Sequence, residues 1–147
     1  MATSSNITIL NVDPLGIVKV NVLSGTVLAE GDLINFDGTS AVVQEGNNPT
    51  FLGVALEGSE DGDSHQISVA TIAVIDAKIG SSGTAGVLGD AYKRNAGANG
   101  TDWDFSKNAT EGIMWVYENN IAQGDKGLFY INTHTLVGGS LFDVVSS

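Results

Sequence analysis

Gly31-Asp32 opens a stretch that runs through Phe51-Leu52-Gly53-Val54-Ala55-Leu56-Glu57 to a second pair, Gly62-Asp63, and then into Ile67-Ser68-Val69. A Gly-Asp pair before an apolar run is typical of a tight turn. Glycine accepts positive φ, and the short carboxylate can accept hydrogen bonds from nearby backbone N–H groups. The stretch therefore predicts turns that alternate with short, buried β-strands.

The same order recurs from Gly89-Asp90, through Glu111-Gly112-Ile113-Met114-Trp115-Val116-Tyr117-Glu118, to Gly124-Asp125 and Leu128-Phe129-Tyr130-Ile131. From the first glycine to the glycine of the apolar run is 22 residues in one copy and 23 in the other. Such a repeat indicates two similar β units packed together rather than a scaffold built around one reaction centre.

Strand patterns cover the chain. Val18, Val20 and Val22 alternate with polar residues, and the apolar run from Ile67 to Ile75 predicts a long strand that is partly covered on both faces. Asp37-Gly38 predicts a β-hairpin with a type I′ turn. No segment has a sustained helical period. The expected fold is all-β, a small β-barrel or sandwich, as one body or as two related β units.

The N-terminal segment reads differently from the rest. It is polar apart from Ile7-Thr8-Ile9-Leu10, and Asp13-Pro14 interrupts the pattern before the first long strand. We expect an extended arm over residues 1–16 that either pairs within its own domain or reaches a neighbouring molecule. The remaining residues form a β domain, 17–147, with sub-units 17–80 and 86–147.

Composition and charge exclude several function classes. Seventeen acidic residues against six basic ones give a net charge of −11 without a basic block, so we expect no nucleic-acid binding. No apolar run approaches the roughly 20 residues of a membrane-spanning helix, and the start of the chain has no basic leader. We expect a soluble protein that is made in the cytoplasm and does not bind membranes. The absence of cysteine removes disulfides and thiolate chemistry.

No pattern points to catalysis. His65 and His134 both lie near predicted strand ends, and the chain has no nucleophile elbow, P-loop or dinucleotide fingerprint. Two acidic segments, Glu60-Asp61-Gly62-Asp63 and Asp102-Trp103-Asp104, offer oxygen ligands for calcium but do not match the EF-hand loop. We expect no enzyme activity, no catalytic residues, no cofactor and no metal.

Trp103 stands in a polar loop and is a candidate contact residue, because exposed tryptophan is enriched at interaction surfaces. One function that fits it is a carbohydrate-binding or cell-surface adhesion module that uses Trp103, Trp115 and Tyr117. Such a module predicts a row of exposed aromatic rings on one face, since sugars stack on flat rings.

A second function follows from a resemblance. Leu23-Ser24-Gly25-Thr26-Val27-Leu28, then Gly31-Asp32, the Asp37-Gly38 hairpin and the segments 51–57 and 67–70 resemble the small β domains of bacteriophage capsid decoration (cement) proteins of the lambda type. The similarity covers about residues 20–76, and the second half departs from the family pattern.

The resemblance implies a non-enzymatic virion protein that binds the major capsid protein on the outer capsid surface and stabilises the shell. It also implies a homotrimer, and an N-terminal arm that engages the capsid. The candidate partner-binding residues are Ile7, Thr8, Ile9, Leu10 and Trp103.

Overall fold

The computed structural model describes residues 7–43, 51–59, 66–80, 85–94, 104–110 and 112–133, and its regular structure is almost entirely β. The predicted all-β class is confirmed. The one helical element in these ranges is a 3₁₀ helix, Pro14–Gly16. The strands are β1 (Thr8–Val12), β2 (Ile17–Asn21), β3 (Leu33–Phe36), β4 (Ala41–Val43), β5 (Phe51–Ala55), β6 (Gln66–Ala70), β7 (Ile72–Ile79), β8 (Gly86–Val87), β9 (Ala91–Arg94), β10 (Asp104–Lys107), β11 (Met114–Val116), β12 (Asn120–Ile121) and β13 (Lys126–Asn132).

Strands β7, β13, β11, β9 and β10 form a closed five-stranded barrel, which we call the second unit. The parallel pairing of β10 with β7, Phe105 opposite Ile79, closes it. Alternate residues of β7 and β13 point inward and are buried, as the period of a strand requires. Inside, the rings of Tyr92 and Phe129 meet edge to face with centroids 5.4 Å apart.

Strands β2, β6, β5, β3 and β4 form a five-stranded sheet, which we call the first unit. A parallel bridge between Val22 and Ala41 joins its first and last strands. This unit has its own core of fully or nearly fully buried apolar residues, which includes Leu28, Ile34, Leu52, Ile67 and Val69.

The two units have the same strand order and the same register. In the first unit β3 pairs with β4 and β5, β5 with β6, and β6 with β2. In the second unit β9, β10, β11, β13 and β7 make the corresponding pairs. Leu33 opposite Val54 in the first unit corresponds to Ala91 opposite Trp115 in the second. The repeated pattern of the sequence therefore corresponds to a repeated strand arrangement.

The Gly-Asp pairs build equivalent turns. Gly31 and Gly89 both have a φ of 92°, in the region that favours glycine. Oδ2 of Asp32 and Oδ2 of Asp90 each accept a hydrogen bond from the backbone N–H three residues earlier, at 2.9 Å in both turns. Of the two later pairs, Gly124 also has positive φ, whereas Gly62-Asp63 lies outside the described residues.

Thr71 separates the two units, which corrects the predicted sub-units 17–80 and 86–147. The apolar run that the sequence presents as one strand is divided there into β6 and β7, and β7 pairs with β13 of the second unit. Thr71 is fixed to the first turn of the chain, since its N–H and its Oγ1 both donate to the Gly16 carbonyl, at 2.9 and 2.6 Å. The boundary therefore lies at residue 71.

Residues 7–16, part of the predicted arm of residues 1–16, lie against the chain's own β domain. β1 pairs antiparallel with β7, and Ile7 is 5% exposed within the core. The driving force is burial of apolar surface: Ile9 and Val12 also pack against the same cluster. Of the two alternatives, pairing within the chain's own domain describes this segment; residues 1–6 lie outside the described residues.

The Asp37-Gly38 hairpin joins β3 and β4 as expected, but the turn is not of type I′. Among the described residues that are not glycine none has positive φ, so only Gly38, with a φ of 98°, adopts that conformation. The loop has four residues, 37–40. Asp37 Oδ1 stabilises it by accepting hydrogen bonds from the N–H groups of Thr39 and Ser40, at 2.8 and 2.9 Å. A carboxylate-stabilised turn has replaced the two-residue turn.

Candidate interaction surfaces

Strand β1 holds three of the five predicted contact residues and Ile7 directly precedes it, and the structure separates these four. Ile7 is buried and Ile9 is half-buried against the core, so both stabilise the fold. Thr8 is exposed, and the Leu10 side chain is 53% exposed. The fifth predicted residue, Trp103, lies outside the described residues.

A β-bulge explains why Leu10 is available. Ile9 and Asn11 lie opposite the consecutive residues Ile75 and Val74, so Leu10 is the extra residue of the bulge. Among the described strands β1 pairs with β7 alone, which leaves its other edge open. A bulge on an edge strand disfavours the addition of a further continuous strand. This edge consequently offers a projecting leucine rather than a regular ladder of backbone groups.

A second exposed leucine follows at the 3₁₀ helix. Asp13 caps this helix by accepting a hydrogen bond from the Leu15 N–H at 3.0 Å. The cap holds the Leu15 side chain outside the core, where it is 93% exposed, and Ile17 is 41% exposed two residues later.

The second unit presents a group of aromatic residues, Trp115, Tyr117 and Tyr130, which we call the aromatic face. Trp115 lies directly opposite Tyr130 across β11 and β13, and the rings of Tyr117 and Tyr130 stack with centroids 5.4 Å apart. Asn132 Nδ2 donates to the Tyr130 hydroxyl at 3.0 Å and so fixes that ring. Tyr117 is 53% exposed, and the other two are half-buried.

The turn Val87-Leu88-Gly89-Asp90 lies against the same end of β11. The Gly89 N–H donates to the Val116 carbonyl at 3.0 Å, and the side chains of Val87 and Leu88 in this turn are exposed. The Val87 N–H and an ion pair with Lys107, at 3.1 Å, hold the pKa of Asp90 below its ordinary value. The carboxylate stabilises the turn and leaves the leucine at its tip.

The sequence pointed to only part of this face. Trp115 and Tyr117 were candidates for an aromatic row, but Tyr130, Val87 and Leu88 were missed. The signal for Tyr130 was present, since it belongs to the apolar run that repeats in both units. Its position beside Trp115 depends on the register of β11 with β13, which no local pattern specifies.

The described residues contain no group of three or more His, Cys, Asp or Glu side chains that could hold a metal ion, and no helix long and apolar enough to cross a membrane. His65, His134, Glu60–Asp63 and Asp102 lie outside the described residues.

Comparison with known proteins gives no relative from which to transfer a role: no protein-family model and no curated protein matches the chain.

Proposed function

We propose that this chain is a structural virion protein that binds the outer surface of a phage capsid and stabilises it as a decoration (cement) protein. Its partner is the major capsid protein, its working form is a homotrimer, and it is made in the host cytoplasm before it joins the virion. The observation that carries this proposal is the exposed leucine at the bulge of β1, on an edge with no neighbouring strand among the described residues.

The charge and the apolar surface together favour a protein partner. Six cationic side chains against seventeen carboxylates leave little scope for binding a polyanion. Leu10 and Leu15 instead offer apolar contact, which gains free energy when a matching protein surface excludes water. Because Leu10 lies at a bulge, we propose that β1 contacts the capsid through its side chains rather than as an added strand.

Cementing does not need a strong single contact. A trimer presents three copies of β1, and linked contacts raise the overall avidity by orders of magnitude over one contact. A protein that binds the assembled shell but not the free capsid subunits stabilises the shell by mass action. Neither step needs a nucleophile, a cofactor or a metal.

The direct test is to mix the purified protein with undecorated capsid shells and to measure binding by co-sedimentation and electron microscopy. We expect saturable binding to the outer surface. Leu10→Asp should weaken it about tenfold or more, because an aspartate in the contact would have to be desolvated. Leu23→Asp is the matched control, since Leu23 is 47% exposed but lies outside β1. Equal binding of wild type and Leu10→Asp would contradict the assignment of β1.

A carbohydrate-binding or cell-surface adhesion module is the second candidate, and the aromatic face favours it. Trp115 and Tyr130 lie opposite each other on β11 and β13, and Tyr117, which follows β11, stacks on Tyr130 and is the more exposed ring. Against it, Tyr117 and Tyr130 stack on one another, so each ring covers one face of the other. Screening the protein against immobilised glycans tests this candidate: binding that Tyr117→Ala abolishes would support it.

A further inference from the structure

We infer that the aromatic face is an interface between copies of this chain, covered by a second copy in a head-to-tail contact. The inference rests on the proposed homotrimer for the number of copies, but not on attachment to a capsid. It is carried by the equivalence of the two units, because the corresponding face of the first unit is already covered inside the chain.

The register defines that equivalence residue by residue. Val54 opposite Ala70 in the first unit corresponds to Trp115 opposite Tyr130 in the second. Two residues after Val54 is Leu56, and two residues after Trp115 is Tyr117. The Leu56 N–H donates to the Ser68 carbonyl at 2.9 Å, and the Tyr117 N–H donates to the Leu128 carbonyl at 2.8 Å.

The two faces differ in what covers them. Val54, Ala70 and Leu33 are fully buried and belong to the same cluster as Phe129 and Ile131 of the second unit. Leu56 packs against that cluster too. At the equivalent positions of the second unit, Trp115, Tyr130 and the smaller Ala91 are half-buried, and Tyr117 is 53% exposed. Trp115, like Leu56, packs against the cluster with part of its side chain. The first unit thus buries most of this face within the chain, whereas the second unit leaves its aromatic residues partly exposed.

The turn beside the face is also more apolar on its exposed side in the second unit than in the first. In the first unit the two residues before Gly31 are Ala29, which is buried, and Glu30, which is exposed. In the second unit the equivalent residues are Val87 and Leu88, exposed by 57% and 64%. An exposed position that carries a carboxylate in one unit carries a leucine in the other, although both turns have the same hydrogen bonds. Apolar residues at a turn tip are consistent with contact rather than with solvation.

The aromatic face belongs to the less acidic part of the chain. Residues 17–71 carry eight carboxylates and one lysine, whereas residues 72–133 carry seven carboxylates and five cationic side chains. Copies of a chain with a net charge of −11 repel each other, so association is least opposed where charges are nearly balanced. The aromatic face lies in that part of the chain.

Symmetry then determines the kind of contact. A ring of three identical chains is closed by heterologous contacts, in which one surface meets a different surface of the next copy. The contact inside the chain is already of this kind, because the first unit's face packs against a different part of the second unit. Repeating that relation from one copy to the next gives a head-to-tail ring in which each aromatic face is covered.

The test compares the self-association of full-length variants by sedimentation velocity and light scattering over a range of concentrations. Leu88→Glu places in the second turn the residue type that the first turn has at Glu30, so the fold should tolerate it. Tyr117→Asp places a charge in the centre of the face. We expect the wild type to form species of three times 15.2 kDa and both variants to associate about tenfold or more weakly. Leu23→Asp, which is exposed outside the face, should associate like the wild type.

Circular dichroism and melting temperature show whether each variant is folded, and Leu88→Glu decides the result if Tyr117→Asp unfolds. If the Leu88→Glu variant associates as strongly as the wild-type protein, the inference is wrong. It is also wrong if the wild-type protein is monomeric at all concentrations. A two-copy species that depends on Leu88 would overturn the head-to-tail arrangement. Failure of the proposed function gives a different result, since trimers that are sensitive to Leu88→Glu would form but would not bind capsid shells.

Discussion

At the scale of single residues, the two units accept different side chains at equivalent positions, and packing explains the difference. Gly53 occupies the position that Met114 occupies in the second unit, as their pairing with Ile34 and Tyr92 shows. A Cβ on Gly53 would lie 2.0 Å from the Ala70 carbonyl oxygen, where no side chain fits. The glycine is required by a close approach of backbone, not by its own φ.

Gly53→Ala should therefore lower the free energy of unfolding by about 2–3 kcal/mol, because the backbone of β5 or β6 must shift. Gly25→Ala is the comparison. A Cβ at Gly25 would meet open space, so the only penalty is that alanine disfavours the positive φ of 86°, which costs about 1 kcal/mol. Urea unfolding measures both. A smaller loss for Gly53→Ala than for Gly25→Ala would contradict this account of β5.

Asn35 is a buried polar residue in β3. It is 2% exposed, and neither Oδ1 nor Nδ2 has a hydrogen-bond partner among the described residues. Its equivalent in the second unit is Lys93, which is half-buried. Leaving a buried amide unpaired costs about 1–3 kcal/mol. Asn35→Leu, which has a similar shape, should raise the free energy of unfolding by about 1 kcal/mol. A loss of stability in chemical denaturation would show that the amide is satisfied.

At the scale of elements, the Gly-Asp turns connect the local sequence to the fold. The carboxylates of Asp32 and Asp90 each accept a hydrogen bond from a backbone N–H of their own turn. Each aspartate directly precedes a strand, so the turn fixes where β3 and β9 begin. Because the same chemistry recurs in both units, one turn can be altered and the other kept as an internal reference.

Protonation of Asp90 should weaken its turn at acid pH. The Val87 N–H and, second, Lys107 lower the pKa of Asp90 below its ordinary value of 3.8. A carboxylate whose folded-state pKa is lowered contributes stability above its unfolded pKa and loses it as the pH falls through the folded value. Asp90→Asn should therefore have a lower melting temperature at pH 7 and a smaller further loss between pH 4 and pH 2.

Lys107→Met separates the two causes of the lowered pKa. It removes the cation and keeps the Val87 N–H, which is the larger cause, so most of the acid dependence should remain. A melting profile for Asp90→Asn that is parallel to the wild type from pH 7 to pH 2 would contradict the role of this carboxylate.

The N-terminal strand is part of the fold, so shortening the chain should destabilise it. Deleting residues 1–12 removes the buried Ile7 and every pair between β1 and β7. Loss of one buried isoleucine alone costs about 2–5 kcal/mol, so the shortened protein should melt at a clearly lower temperature. Deleting only residues 1–6 keeps all described contacts and is the control. Equal melting of the two proteins would mean that β1 adds nothing to stability.

The sequence predicted the turns and the strand class but not which strands belong together. Gly31-Asp32 and Gly89-Asp90 carry a local signal, because positive φ and a short carboxylate leave a recognisable pattern. Thr71 carries none: the alternation of apolar residues continues across it without glycine or proline, and only long-range pairing divides β6 from β7. No local pattern distinguishes Ile7 from Leu10 either. Ile7 is buried and Leu10 is exposed because of the bulge in the register of β1 with β7.

At the scale of the whole molecule, two β units of the same topology leave two kinds of exposed apolar surface. One is the leucine-bearing N-terminal segment, and the other is the aromatic face of the second unit. We propose that the first contacts the capsid and that the second contacts neighbouring copies.

Heating undecorated capsid shells in a calorimeter, with and without the protein, shows whether the protein stabilises the shell. A ligand that binds only the intact shell adds about 2.7 kcal/mol per site at a concentration 100 times its Kd. We predict that saturating protein raises the temperature at which the shells come apart and that Leu10→Asp does so only at higher concentrations. An unchanged transition temperature at saturating concentrations of the wild-type protein would contradict the proposed stabilisation of the capsid shell.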